Sequence, residues 1–193
     1  MALMAGKSTK LAFSWTNPNF TGGPFKNILV LAVNGRASAR ADFEDQMVAV
    51  ISRPGIVAVQ SYSLIPRPDA TPIDKKQLRD VVQGQNFDAI LVSRLVKYDK
   101  KVKYVPGQIY TPYAYYGTFY GYYEEIYPVV YSPGYMEREV EAQVETNFYS
   151  TAKDDGELEW TGTSDTVNPR SLNKAIDAVV GLVVRELERG KII

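Results

Sequence analysis

The chain has 193 residues, 45% of them hydrophobic, and its 22 basic side chains are balanced by 22 acidic ones, so no surplus of positive charge steers it to nucleic acid or to an anionic membrane surface. It contains no histidine and no cysteine, which removes the commonest general base, the thiol nucleophile, the usual zinc and copper ligands and any disulfide. The composition predicts a single non-enzymatic domain without a cofactor, and no apolar run approaches the roughly 20 residues of a membrane-spanning helix.

The first ten residues carry two rival readings. Gly6-Lys7-Ser8 has the ending of a phosphate-binding P-loop, but the motif needs a glycine where Met1 stands and a buried strand leading in, so that reading fails. Leu3-Met4-Ala5-Gly6 before Ser8-Thr9 instead has the form of a bacterial lipoprotein signal, with Lys7 at the position of the acylated cysteine. A vector remnant or tag is the alternative. Residues 11–193 are expected to form one α/β domain.

Residues 11–25 are aromatic but broken by Asn17-Pro18 and Gly22-Gly23-Pro24, which predicts an extended lead-in pinned down by Phe13, Trp15 and Phe20. Ile28 to Val33 is an unbroken apolar run suited to a strand buried on both faces. Phe43, Met47, Val50 and Ile51 then recur at helical spacing. The loop between them, Asn34-Gly35-Arg36, has one glycine where a dinucleotide fingerprint needs three, so this unit reads as scaffold. Arg53-Pro54-Gly55 should stop the helix, with Gly55 as a left-handed cap, before a second strand over residues 56–62. Thr71-Pro72-Ile73-Asp74 signals a second helix running to about Gly84 with Leu78, Val81 and Val82 inward. Residues 87–96 open a long third strand.

Alternation follows. Val140, Ala142, Val144, Thr146 and Phe148 share one face of a fourth strand, and Glu139, Glu141, Gln143, Glu145 and Asn147 share the other. Lys153-Asp154-Asp155-Gly156 predicts a hairpin turn into a last strand carrying Trp160. If strands three and four pair antiparallel, Lys97, Lys101 and Lys103 face Glu137, Glu139 and Glu141. The final helix has the clearest periodicity, through Leu172, Ala175, Ile176, Val179, Val180, Val183 and Leu187, and Gly190 should end it. The expected fold is an α/β two-layer sandwich of order βαβαβ-ββα. Its mixed sheet has about five strands, with helices mainly on one face.

Between strands three and four, residues 105–135 hold most of the chain's 14 tyrosines, and their prolines and glycines exclude a regular helix. Tyr110, Tyr113, Tyr115, Tyr116, Tyr120, Tyr122, Tyr123, Tyr127 and Tyr131 are the candidate interaction surface, since phenol rings are rigid and amphipathic. The alternative is a low-complexity excursion packed on its own sheet. Glu124-Glu125 shows no partner for acid–base work, and Asp154-Asp155 lacks the alternating oxygen ligands of a calcium loop.

Several pieces can be read together: the lipobox-like start, Ser14 to Pro18, the strand over 26–33, Phe43-Glu44-Asp45, Ser61-Tyr62, Phe87 to Val92, and Gly156 to Gly162 with Trp160. Together they resemble a family of bacterial envelope lipoproteins whose domain has no assigned activity. More distantly, the order of elements is similar to the amino-terminal domain of the Tol translocation protein and to the curli-secretion lipoprotein. The resemblance implies the periplasm, anchorage to the outer membrane through a lipid on position 7 if the precursor has cysteine there, and a role in protein assembly. The expected partner is an envelope protein or a second copy. A small-molecule or glycan-binding module with a tyrosine-lined groove is the rival, and no nucleic acid is expected.

Overall fold

The computed structural model describes residues 8–33, 36–66, 73–106, 108–109, 131–132, 135–153 and 156–193. The chain divides into two compact units, one of residues 1–99 with 140–193 and one of residues 100–139. The elements in order are β1 (Ser8–Thr16), β2 (Asn27–Val33), α1 (Ala37–Ile51), β3 (Val57–Gln60), α2 (Ser61–Leu64), α3 (Lys75–Gly84), β4 (Ala89–Val105), β5 (Gln108–Ile109), β6 (Tyr131–Ser132), β7 (Tyr135–Ser150), β8 (Glu157–Val167) and α4 (Leu172–Arg189).

A mixed α/β architecture results, with one open six-stranded sheet in the order β1-β8-β7-β4-β2-β3. β2 runs parallel to both β3 and β4, which pair Leu29 with Val59 and with Ile90. β8 runs antiparallel to β7 and β1. The apolar run predicted for β2 is buried on both faces from Ile28 to Ala32, whereas Val33 at its end is 48% exposed. Ile28, Val30 and Ala32 join Phe43, Met47 and Ile51 of α1 in the main core, and Leu29 and Leu31 on the other face are also buried. Asp88 fixes the start of the parallel pair: its Oδ2 and Oδ1 accept the Lys26 and Asn27 amides at 2.8 and 3.0 Å.

α1 and α4 touch each other and cover the same core. Ile176, Val179, Val180, Val183, Val184 and Leu187 of α4 are buried, whereas Leu172 in its first turn is 55% exposed, so the apolar stripe begins one turn later than the periodicity predicts. Ser171 caps its start, the hydroxyl accepting the Lys174 amide at 3.2 Å. Its end differs. Gly190 stays in the helical region and Lys191 takes the left-handed conformation (φ 55°), with the Lys191 amide bonded to Glu188 O and the Ile192 amide to Leu187 O. That pair of bonds is a Schellman motif, shifted one residue because it delivers Ile192 and Ile193 into the core.

The extended lead-in forms a strand, β1, the sixth in a sheet expected to have about five. Four other expectations need correction. Phe13 and Trp15 do not pin it down: they are 56% and 40% exposed, because β1 is an edge strand held by backbone pairing with β8. Phe20 does pack, stacking on Phe25 with ring centroids 5.9 Å apart. β3 stops at Gln60 and Ser61 to Leu64 is a helical turn. Ser52 caps α1 in extended geometry, and Gly55 (φ 89°) serves the turn between Arg53 and Ile56. At α3 the cap is Asp74, whose side chain accepts the Gln77 amide, and Leu78, Val81 and Val82 are only half-buried; Thr71 and Pro72 lie outside the described residues.

The core tryptophan is Trp160, 1% exposed on β8. Its ring lies over Gly162, where an added Cβ would sit 2.4 and 2.6 Å from two ring carbons. Only a residue without a side chain leaves room for the ring. Gly156 (φ 75°) closes the turn before β8, its amide bonded to Lys153 O; Asp154 and Asp155 lie outside the described residues.

Candidate interaction surface

The β4–β7 pair carries the features that bear on function. Ser93 Oγ and Thr146 Oγ1 are 2.8 Å apart, Arg94 meets Glu145, and Lys97 meets Glu141 at 3.4 Å, so residue numbers rise on one strand as they fall on the other. The strands are therefore antiparallel, and the expected basic-to-acidic facing is realised at Lys97 with Glu141. Arg94 adds a pairing that the sequence reading did not include: its Nε and Nη2 donate to Oε1 and Oε2 of Glu145 at 3.0 and 3.1 Å. This two-point contact holds the Glu145 carboxyl below its ordinary range, chiefly through the Arg94 hydrogen bond, and raises Arg94 in return. Lys97 is raised first by its hydrogen bond to Asp99 and then by Glu141. The side chains of Lys103 and Glu137 lie outside the described residues.

Each unit also exposes apolar side chains on these strands. In the larger unit, Leu95, Val96 and Tyr98 of β4 are 46%, 44% and 53% exposed. In the smaller unit, Val102 and Tyr104 end β4, Tyr135 and Met136 begin β7, and all four are more than half exposed. Each of these side chains would contribute roughly 1.5 to 3 kcal/mol if fully covered. Leaving a run of them in water on a pair of long strands is costly for a free surface and favourable for an interface.

Tyr110, Tyr113, Tyr115, Tyr116, Tyr120, Tyr122, Tyr123 and Tyr127 lie outside the described residues, as do Glu124, Glu125 and Lys7. The backbone of Tyr131 opens β6, opposite Ile109 of β5 in a two-residue antiparallel ladder. The exposed apolar residues flanking this segment were not singled out from sequence. Their alternation, as in Val102 and Tyr104, is that of a strand with one buried face, which is why burial had to be seen to be excluded.

Among the described residues, no group of three or more acidic side chains is placed to hold a metal ion. A cavity of about 310 Å³ opens between β1, β8 and the start of α4, lined among the described residues by Thr9, Thr166, Arg170 and Lys174 with Val167, Pro169 and Ala178, none of them aromatic. No helix among the described residues is long and apolar enough to cross a membrane.

No family model matches the chain, and no curated protein matches it in sequence. Solved structures that resemble it include the PelC dodecamer from Paraburkholderia phytofirmans, at a TM-score of 0.45 and 13% identity over 96% of this chain and 99% of that one. They also include the lipoprotein GNA1162 from Neisseria meningitidis, at 0.46 and 13% over 85% and 99%. The hypothetical protein CT253 from Chlamydia trachomatis follows at 0.37 and 8% over 87% and 94%. At these scores the likeness is one of general chain path, and the functional reading rests on this chain's own residues.

Proposed function

We propose that this chain is a non-enzymatic module of the bacterial cell envelope that works by holding another protein during assembly. The observation that carries this reading is the exposure of Val102, Tyr104, Tyr135 and Met136 on the two strands that flank the tyrosine-rich segment. Exposed aliphatic and aromatic side chains on paired strands form the apolar centre that protein interfaces use. The lipobox-like start supports a periplasmic location, with lipid anchorage to the outer membrane if the precursor has cysteine in place of Lys7. The tyrosines from Tyr110 to Tyr131 extend the same adhesive chemistry.

A quadruple variant, Val102→Ser, Tyr104→Ser, Tyr135→Ser and Met136→Ser, tests the proposal in a pull-down from envelope extract. The variant should keep the wild-type circular dichroism and melting temperature, because the replaced side chains are exposed, and should lose the partners that the wild-type chain retains. An unchanged partner set would overturn the reading. Retention of soluble glycan and not of protein by the wild-type chain would favour the glycan-binding alternative.

A further inference from the structure

We propose that the open edge of β1 pairs with β1 of a second copy of this chain, antiparallel and centred on Trp15. β1 and β3 are the outer strands of the sheet. β3 has four residues and runs straight into the helical turn at Ser61, so it offers little edge. β1 has nine. Its first half carries features that discourage a further strand: the charge of Lys10, and a bulge that leaves Ala12 as an extra residue between the Leu11–Ser164 and Phe13–Thr163 pairs. Its second half, Phe13-Ser14-Trp15-Thr16, has no charge, proline or glycine and consists mainly of residues favoured in strands. All four are exposed.

The backbone direction selects the register. The Asn17 amide donates to Glu159 O at 2.8 Å, and Trp15 and Phe13 lie in step with it opposite Thr161 and Thr163, so the backbone groups of these residues face β8. Ser14 and Thr16 therefore aim their amides and carbonyls at the open edge, where no strand among the described residues meets them. The pairing that satisfies both within this segment sets Ser14 of each copy against Thr16 of the other, with a two-fold axis at Trp15. Trp15 then faces Trp15 of the second copy at a non-hydrogen-bonded site, where side chains approach closest, and each Phe13 lies diagonal to the opposing tryptophan. Phe13 and Trp15 are 56% and 40% exposed, so the pairing covers aromatic surface as well as backbone. Lys10, the one charge on the strand, stays outside the paired residues, and no like charges meet. A closed pair of identical chains requires a self-complementary patch, and this segment is one. Its shortness puts it in the weak class of interfaces.

The chain has no cysteine, so a single introduced thiol reports the register. Residues opposite each other at a non-hydrogen-bonded site have Cα atoms about 4.5 Å apart, within disulfide reach, whereas positions 13 of the two copies would lie about four strand steps apart and beyond it. On mild oxidation at high protein concentration, Trp15→Cys should give a disulfide-linked dimer and Phe13→Cys should not. Sedimentation equilibrium of the wild-type chain should show a dimer fraction that rises with concentration. Ser14→Pro should raise the dissociation constant about tenfold or more, through loss of a hydrogen bond on each side of the axis. It should keep the wild-type melting temperature, because the amide it removes faces away from β8. Should Ser14→Pro fail to fold, Trp15→Lys, which sets two cations against each other at the axis, must weaken the dimer instead. A wild-type chain that stays monomeric at every concentration, or equal trapping at positions 13 and 15, overturns the proposal. If a monomeric chain carrying a photoreactive phenylalanine derivative at position 13 is joined to a different protein in envelope-containing cells, the proposal is overturned in favour of a foreign strand.

Discussion

Arg94 lies on the antiparallel side of the sheet with its side chain 55% exposed, and two of its nitrogens grip Glu145; Arg40 lies buried beside the parallel strands, and two of its nitrogens meet nothing. The carboxylates show the converse. Glu145 is held by a cation, whereas Glu44, at 0% exposure, is held by two backbone amides and a hydroxyl. Water screens the first pair, so it contributes to register more than to stability. The second site is shielded from water, and each missing or surplus hydrogen bond there has its full cost. Removing one partner should therefore cost most at the buried polar groups beside the parallel strands, and least at the exposed ion pairs of the antiparallel half.

The largest effect is expected at Glu44. Glu44→Ala strands the Ala32 and Tyr62 amides that join the end of β2 to the β3–α2 junction, and should lower unfolding stability in urea by about 3 kcal/mol or more. Gly162→Ala comes next, at about 1 to 3 kcal/mol, since its Cβ would displace the Trp160 ring from the core. The same experiment should register the displacement as a change in tryptophan fluorescence. Arg40→Met sharpens the contrast with Glu44: it should leave stability equal or higher, because it removes donors that had no acceptor. A loss as large as that of Glu44→Ala would show that Arg40 is structural.

The smallest effect belongs to Glu145→Gln. The folded Glu145 carboxyl is depressed by Arg94, so its contribution is complete above the unfolded carboxylate range and is lost as pH falls through the folded value. Wild type and Glu145→Gln should differ near neutral pH and converge in acid, and added salt should narrow the difference at neutral pH. A gap that widened in acid would reverse the assigned sign.

The strands and helices that bury a continuous or periodic apolar set are legible in the sequence. β2 declares itself by the run from Ile28 to Val33, α4 by its stripe from Ile176 to Leu187, and β7 by alternation ending in Phe148. Elements held by long-range polar contacts are not. Ser61-Tyr62 reads as strand because both residues suit one, yet Glu44, 17 and 18 positions away, draws them into a turn. β1 pairs through its backbone, and its exposed Phe13 and Trp15 look in sequence like core anchors. Arg40 shares the helical face of Phe43, Met47 and Ile51, so the spacing places it inside, and only its charge reads as solvated surface. The tyrosine segment is conspicuous by composition, whereas the exposed Val102, Tyr104, Tyr135 and Met136 beside it follow a pattern shared with buried strands.

The interface reading is tested most directly by site-specific photo-crosslinking in envelope-containing cells, with a photoreactive phenylalanine derivative placed at position 104 or 135, and at the equally exposed position 172 of α4 as a control. Discrete adducts to another protein at 104 and 135, and none at 172, are the predicted result. Adducts at all three positions alike, or at none, would contradict the account.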